Sequence, residues 1–233
     1  MDPHDDSISR RPVDRLGFFQ SGGLKVKFCG ITNPTDAALA VEYGADAIGV
    51  NFYEQSKRHV TLEEASQWLA DVPVIRVAVV VNANADLIDQ LSTCGRIDAI
   101  QFHGDESPEI CARSPLPWIR AVRVESARSL EDALAYDTQA FLLDAFSVQG
   151  YGGTGHRLNW DLAAEFVTKN PSKRVIVAGG LTPDTVGNAV RLISPYGVDV
   201  ASGIELPGMP RTKSGPLMKR FCEQALRFAK TGN

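Results

Sequence analysis

From residue 25 onward, short runs rich in Val, Ile and Ala alternate with longer amphipathic stretches. Eight such pairs can be counted, and the apolar runs predict eight β-strands, at residues 25–29, 46–51, 74–80, 97–101, 118–123, 140–144, 174–178 and 197–201. Strands that alternate with helix-length segments are typical of repeated β-strand and α-helix units around a parallel sheet. The alternation therefore restricts the chain to the α/β class.

Helix-start signals fall between the predicted strands. Asn33, Thr61 and Asn84 each precede a stretch with helical character, and their side-chain oxygens are suited to accept a free backbone N–H. Thr182 followed by Pro183 predicts another start, with the proline at the first helical residue. The segment 213–229 predicts a last helix that seals the sheet through an apolar stripe formed by Leu217, Phe221, Ala225 and Phe228.

Eight strands followed by helices with right-handed crossovers close most naturally into a TIM (β/α)8 barrel, which fits the length of 233 residues as a single domain. An open doubly wound sheet is the alternative. We predict that the barrel occupies residues 25–233. Residues 1–24 are polar, mix acidic and basic side chains and lack an apolar core, so we predict a disordered N-terminal tail.

The amino-acid composition limits the classes of molecule that this protein is expected to bind. A net charge of -4 gives no basic footprint for nucleic acid, and no apolar run approaches the length of a membrane span. The four cysteines form no close pair, and no secretory signal precedes them, so the cytoplasm is the expected compartment. A small anionic molecule is the expected ligand, rather than nucleic acid or a membrane.

Polar or small residues follow most of the predicted strands. In a barrel of this kind, the residues at the carboxyl ends of the strands face the functional site. We therefore expect the following residues to gather at one mouth: Cys29, Gln101, His103, Arg123, Asp144, Gly179, Gly180, Ser202 and Gly203.

The glycine-rich strand ends suggest a phosphate site. Barrels often bind phosphate with the loops after strands seven and eight, where backbone N–H groups approach the anion closely. Gly180, Ser202 and Gly203 occupy those loops, and Gly153 and Gly155 of the loop after strand six are placed to close over the same group. Each glycine pair taken alone is also compatible with an ordinary turn.

An acid, a thiol and a guanidinium supply the candidate chemistry. Cys29 stands at a strand end before Gly30, where it is a nucleophile, a base or simply a small core residue, and Lys27 on the same strand face would help to lower its pKa. Asp144 ends an apolar strand that would raise its pKa and suit it to donate a proton, unless it only caps a turn. Arg58 is either a surface charge or a clamp for a carboxylate.

Several motifs occur in an order that resembles the phosphoribosylanthranilate isomerase family. They are Lys27-Phe28-Cys29-Gly30-Ile31, the run 56–60, Gln101-Phe102-His103-Gly104, Leu142-Leu143-Asp144, the loop 152–155 with Trp160, Ala178-Gly179-Gly180-Leu181 and Ser202-Gly203-Ile204-Glu205. The resemblance covers roughly residues 25–230. It implies a TIM barrel of tryptophan biosynthesis that rearranges N-(5'-phosphoribosyl)anthranilate to 1-(2-carboxyphenylamino)-1-deoxyribulose 5-phosphate without a cofactor or a metal.

The resemblance also implies roles for individual residues. Asp144 would protonate the furanose ring oxygen, and Cys29 would then remove the proton from C2' of the opened sugar. Arg58 would hold the anthranilate carboxylate, and the glycine loops with Ser202 would bind the phosphate. Lys27, Gln101, His103 and Arg123 are expected to line the site without an assigned role. Lys57 and Ser214 stand where the family often has proline and aspartate.

Other functions compatible with the same barrel are kept as alternatives. A metal-dependent phosphosugar epimerase needs His and Asp ligands at several strand ends, and the four histidines do not recur in that pattern. Aminoimidazole carboxamide ribotide isomerase, which runs the same rearrangement, has an aspartate as its base where Cys29 stands. A non-catalytic phosphosugar-binding barrel would need neither Cys29 nor Asp144.

Overall fold

The computed structural model describes residues 17–20, 22–145 and 158–229. Eight strands lie within a few residues of the predicted ones, so the strand prediction is confirmed. Their bounds are β1 Lys25–Cys29, β2 Ala47–Asn51, β3 Ile75–Val80, β4 Ala99–Phe102, β5 Trp118–Val124, β6 Ala140–Ala145, β7 Val175–Val177 and β8 Gly197–Val200.

The eight strands form a closed parallel barrel in sequence order. The closure is made by β1 and β8, which pair in parallel with Lys25 opposite Gly197 and Phe28 opposite Val200. This pairing leaves no free edge between the first and last strands, so the TIM barrel prediction is confirmed and the open doubly wound sheet is wrong.

Apart from the first, which precedes β1, the helices lie around the outside of the barrel. Their bounds are α1 Gly17–Gln20, α2 Pro34–Glu42, α3 Leu62–Ser66, α4 Ala85–Thr93, α5 Pro108–Cys111, α6 Ala127–Ala133, α7 Trp160–Lys169, α8 Val186–Ile193 and α9 Gly215–Arg227. Short 3-10 turns lie at Leu69–Asp71 and Ser202–Ile204. None of the helices in these described stretches is both long and apolar enough to cross a membrane.

The predicted helix caps are mostly confirmed. The side chains of Asn33, Thr61 and Asn84 accept backbone N–H groups at the starts of α2, α3 and α4. Ser214 caps α9 by accepting the N–H of Leu217, which is what an aspartate there would also do. The start predicted at Pro183 is wrong: Thr185 Oγ1 accepts the N–H of Thr182 in a turn, and α8 begins only at Val186.

Apolar side chains fill two layers. Ala47, Ile75, Val77 and other alternate strand residues fill the barrel interior, while the opposite strand faces pack against the helices. The last helix contributes Met218, Phe221, Cys222 and Ala225 to the outer layer. Phe228, which the predicted stripe included, lies just past the helix and is 39% exposed.

A short segment before β1 closes the lower end of the barrel. Phe18 and Phe19 are buried in the interior layer, and the hydroxyl of Tyr196, just before β8, donates a hydrogen bond to the carbonyl oxygen of Phe18. These residues fall within the range 1–24 for which we predicted a disordered tail. Their burial differs from that expectation, and residues 1–16 of the range lie outside the described residues.

A two-stranded hairpin not foreseen from the sequence follows the 3-10 turn after β8. Its antiparallel strands are β9 Glu205–Leu206 and β10 Met209–Lys213, with Lys213 opposite Glu205. The backbone N–H of Lys213 donates to Asp36 Oδ2 in α2, at 3.0 Å. The hairpin is therefore anchored above the carboxyl end of β1 and β8, where it presents Glu205 and Lys213 to the mouth.

Candidate active site

A cavity opens at the carboxyl ends of the barrel strands. Five side chains that the sequence analysis predicted at the site line it: Cys29, Arg58, Gln101, His103 and Asp144. Asn51, Tyr53 and Asp199 also contribute to its wall. The barrel thus brings together an acid, a thiol, an imidazole and a guanidinium from strands that are distant in sequence.

Cys29 stands above a buried ion pair on the floor of this cavity. Lys27 lies two residues earlier on the same strand face and is 1% exposed. Its ammonium donates to Asp199 Oδ1 on β8, with a separation of 2.7 Å, and lies close enough to the Cys29 sulfur to lower the pKa of the thiol. Asp199 was not predicted at the site, since nothing near it in sequence marks it as the partner of Lys27.

A glycine on the neighbouring strand makes room for this cluster. Gly49 of β2 lies opposite Cys29, and a Cβ atom there would come within 2.9 Å of the Cys29 sulfur and 3.0 Å of the Lys27 nitrogen. Such contacts are shorter than packed atoms allow. A larger side chain at this point in β2 would therefore displace the thiol or the ammonium.

The ionisation of Cys29 is set by opposing effects. Burial raises the pKa of the thiol, the ammonium groups of Lys27 and Lys213 lower it, and the Asp199 carboxylate raises it, with a net pKa above the ordinary value. Lys27 therefore acts in the predicted direction, but burial outweighs it. Burial lowers the pKa of Lys27 itself, yet Asp199 and Cys29 raise it above its ordinary value, so Lys27 is charged.

Asp144 ends β6 on the opposite wall. It is 7% exposed, and its Oδ1 atom accepts the backbone N–H of Ala145 at 2.8 Å. Its Oδ2 atom lies 3.3 Å from Nε2 of His103, the residue that follows β4. A Cβ atom at Gly179 would come within 3.1 Å of Asp144 Oδ1, so the glycine after β7 leaves the carboxyl group accessible.

Arg58 is held by a carboxylate that the sequence analysis gave no role. Its Nε and Nη2 atoms donate to the two oxygens of Glu205, at 2.5 and 2.7 Å, and Lys213 Nζ lies 2.9 Å from Glu205 Oε1. Gly30, with a φ of +70°, lies under the guanidinium stem, where a Cβ atom would overlap Arg58 Cδ. The guanidinium of Arg58 is thus held in one orientation, with its Nε and Nη2 groups bound to Glu205.

Three cationic groups therefore surround the thiol side of the cavity. Burial lowers the pKa of Lys213, and the Glu205 carboxylate opposes this effect without reversing it. Burial also lowers the pKa of Arg58, but its hydrogen bonds to Glu205 raise it above the usual value. The site balances Lys27 against Asp199, and Arg58 with Lys213 against Glu205, which leaves excess positive charge suited to an anionic ligand.

The two loops predicted to bind phosphate lie against each other at the same mouth. Gly179 and Gly180 follow β7 with φ values of +77° and +69°, a region that favours glycine. A Cβ atom at Gly203 would overlap the carbonyl oxygen of Leu181, so only glycine permits this approach of the loop after β8. Ser202 is exposed at the start of the 3-10 turn. Gly153 and Gly155 lie outside the described residues.

Arg123 lies at the rim rather than in the cavity wall. Its guanidinium Nη2 atom lies 2.6 Å from Asp105 Oδ1, and it is not among the residues that line the cavity. The strand alternation placed it correctly at the mouth, but the length of its side chain lets the charged end turn to an exposed carboxylate. A role for Arg123 at the site stays a prediction.

Comparisons with known proteins give the same family for this geometry. Residues 26–224 match the family model for N-(5'phosphoribosyl)anthranilate (PRA) isomerase. The isomerase of Pelobacter propionicus is 43% identical over 209 residues, which cover 89% of this chain and 96% of the relative. This chain belongs to the phosphoribosylanthranilate isomerase family.

Solved structures agree with the family assignment. The crystal structure of the family member from Thermotoga maritima has a TM-score of 0.78 and 36% identity, and the match covers 87% of this chain and 98% of that one. Another isomerase structure, in complex with reduced 1-(o-carboxyphenylamino)-1-deoxyribulose 5-phosphate, has a TM-score of 0.75 and 34% identity, with the same coverage. As a member of this family, the chain is an isomerase of tryptophan biosynthesis that rearranges N-(5'-phosphoribosyl)anthranilate.

Proposed function

We propose that Asp144 is the acid and Cys29 the base of this rearrangement. The observation that carries the proposal is that both side chains line one cavity at the barrel mouth, together with Arg58. The cavity lies at the carboxyl ends of the strands, where enzymes with this fold place their chemistry. An acid and a base on different walls can act on neighbouring atoms of one bound sugar.

The first two steps of the rearrangement need one proton delivered and one removed. In the proposed sequence, Asp144 protonates the furanose ring oxygen, and cleavage of the C1'–O bond gives a Schiff base between C1' and the anthranilate nitrogen. The Cys29 thiolate then removes the C2' proton, and the C2'–H electrons form the C1'–C2' double bond of an enolamine while the Schiff-base π electrons move to nitrogen. The enolamine then tautomerises: C1' gains a proton, the C2' hydroxyl loses its proton, and C2' becomes the ketone carbon.

Lys27 supports the thiolate that the second step requires. A neutral thiol cannot remove a proton from carbon, and burial disfavours the charged form of Cys29. The Lys27 ammonium is fixed by Asp199, and its charge lowers the pKa of Cys29, so it opposes this cost. We assign to Lys27 the role of stabilising the Cys29 thiolate on the floor of the cavity.

Arg58 is proposed to bind the anthranilate carboxylate. Glu205 engages its Nε and Nη2 atoms, and the Nη1 group is not part of that pair. The guanidinium lines the same cavity as Cys29 and Asp144, which suits a substrate whose carboxylate and sugar lie at opposite ends. The pair with Glu205 orients Arg58 before substrate binds, which reduces the entropy lost on binding.

The phosphate group is proposed to bind between the loops after β7 and β8. Gly180, Ser202 and Gly203 lie there, and the first N–H groups of the 3-10 turn at Ser202 lack partners within that turn. Gly153 and Gly155 remain predicted as a cover for the same phosphate. The substrate class is thus a small phosphorylated molecule, and we place the reaction in the cytoplasm because all four cysteines are free thiols.

The test follows the loss of phosphoribosylanthranilate fluorescence with purified protein. We expect Cys29→Ser and Asp144→Asn to lose kcat by several orders of magnitude while remaining folded, since each removes one required proton transfer. Cys94→Ser and Asp86→Asn, at the two ends of α4, are matched controls with unchanged kcat. An inert wild-type protein would leave a non-catalytic barrel as the better account, and fully active variants would reassign the acid and base.

A further inference from the structure

Gln101 of β4 and His103, the residue after that strand, form a line of contacts that ends at Asp144. Gln101 is 1% exposed, and its Nε2 atom lies 2.9 Å from Nδ1 of His103. On the other edge of the imidazole, His103 Nε2 lies 3.3 Å from Asp144 Oδ2. The three residues therefore connect the interior of the barrel to the proposed acid.

The contact with Gln101 determines which imidazole nitrogen carries the hydrogen. An amide nitrogen donates hydrogen bonds and does not accept them, so Nδ1 of His103 must be the acceptor. In a neutral imidazole the hydrogen then sits on Nε2, which is the nitrogen that faces Asp144. The arrangement presents an N–H donor to the carboxyl group.

We propose that Gln101 and His103 are positioning residues for Asp144, and that the His103 Nε2–H stabilises the Asp144 carboxylate formed when the proton passes to the substrate. A hydrogen bond to a charged oxygen is roughly twice as strong as one to a neutral oxygen. The contact therefore favours the transition state over the ground state, which is the requirement for raising kcat. The inference rests on the proposed role of Asp144 as the acid.

The length of the contact fits this role. At 3.3 Å it is longer than a well-formed hydrogen bond, and His103 Nε2 makes no hydrogen bond in the part of the chain that the structure describes. Hydrogen bonds that act in catalysis are often long in the ligand-free state and tighten as charge develops. The His103 Nε2–H is buried, lies beside the Asp144 carboxyl group and has no hydrogen-bond partner among the described residues, so it is available for that step.

The backbone around His103 does not depend on its side chain. The N–H of His103 donates to the carbonyl oxygen of Val80, and Glu106 accepts the N–H groups of Gly104 and Ala83. The loop after β4 is therefore held by contacts that remain when the imidazole is replaced. Variants at His103 can be examined in a folded barrel.

Steady-state kinetics test the role. We expect His103→Leu to lower kcat on the order of 10- to 100-fold with KM changed less than about threefold, since a hydrogen bond to developing charge is lost. His103→Gln, which keeps an N–H donor near the Nε2 position, should recover most of the loss. Gln101→Leu should also lower kcat, because His103 loses the contact that orients it. Gln139→Leu is the matched control, since Gln139 accepts the N–H of Trp118 at the opposite end of the barrel.

A double variant shows whether His103 acts through Asp144. In an Asp144→Asn background, His103→Leu should cause no further loss of kcat, because the group it stabilises is no longer ionised. Equal losses for His103→Leu and His103→Gln, or full additivity with Asp144→Asn, would overturn the proposal.

The tautomer gives a readout that is independent of turnover. Imidazole 15N shifts of the wild-type protein should show the hydrogen on Nε2, and Gln101→Glu, whose carboxylate only accepts, should move a hydrogen to Nδ1. A wild-type Nδ1–H tautomer would contradict the inference. If the wild type shows the Nε2–H form but no turnover, the proposed function fails and the pair does not act in catalysis.

Discussion

At the scale of single residues, the thiol of Cys29 shows how burial and charge compete. The barrel floor removes water from the sulfur, which raises its pKa, and Lys27 sits close enough to offset part of that cost. Asp199 keeps Lys27 charged but also acts against the thiolate. As the proposed base, Cys29 is therefore a thiol that ionises to a small extent at neutral pH but gives a strongly basic thiolate.

This balance predicts the pH dependence. The kcat/KM of the wild type should rise with pH toward and beyond the ordinary thiol range, because the required thiolate gains population as pH approaches a raised pKa. In Lys27→Met the rise should move to higher pH, with activity at neutral pH lower on the order of 10-fold or more. A profile that is flat from about pH 6 upward would contradict the assignment of Cys29 as base.

Lys25→Met is the matched control for this prediction. Lys25 is at the other end of β1 and pairs with Asp46 at 3.2 Å, away from the cavity. Its replacement should leave the pH profile in place. A shift of similar size in both variants would mean that general loss of charge, rather than the Lys27 contact, controls the thiol.

At the scale of elements, the hairpin of β9 and β10 completes the site. It carries Glu205 on one strand and Lys213 on the other; Glu205 binds Arg58, and Lys213 binds the same carboxylate. Glu205 serves as the common counterion of two buried cations. The hairpin thereby fixes the orientation of a side chain that arises 147 residues earlier in the chain.

Glu205→Gln should destabilise the protein and weaken substrate binding. Loss of the carboxylate leaves Arg58 and Lys213 without a counterion, which costs about 3 kcal/mol of unfolding free energy. We also expect KM to rise on the order of 10-fold, because Arg58 is no longer oriented. Thermal unfolding and KM measure the two effects, with the exposed Glu63→Gln as control, and an unchanged melting temperature would show that the pair is not energetically important.

At the scale of the whole molecule, stability and chemistry lie at opposite ends of the barrel. Phe18 and Phe19 enter the interior layer from below, beside Tyr196, while Cys29, Asp144 and Arg58 line the cavity at the upper mouth. This division is general in barrels of this kind. A segment before the first strand thus contributes to the core without approaching the substrate.

The double variant Phe18→Ala/Phe19→Ala tests that contribution. Two buried rings are replaced by methyl groups, so we expect a loss of about 3 kcal/mol and a fall in melting temperature of about 5 to 10 °C. The value of kcat/KM measured well below the transition should be unchanged. Phe228→Ala, at a ring that is 39% exposed, should have a smaller effect, and a double variant as stable as wild type would mean that the segment does not dock.

The sequence by itself determined the repeated units, most helix caps and the residues at the strand ends. These features depend on local periodicity and on hydrogen bonds between residues three or four apart, as at Asn33 and Thr61. Strand alternation then placed Cys29, Gln101 and Asp144 on the inner face, and the fold brought them to one cavity. The ordered motifs were sufficient to indicate the family.

Only the tertiary structure decided the partners and the electrostatic balance. Lys27 meets Asp199 across 172 residues of sequence, Arg58 meets Glu205 on an unforeseen hairpin, and Phe18 enters the interior from a segment with a polar composition. The pKa of Cys29 followed burial rather than its nearest cation, because desolvation depends on every group packed around the sulfur. Such distances and burials arise from closure of the whole barrel, and no local pattern in the chain encodes them.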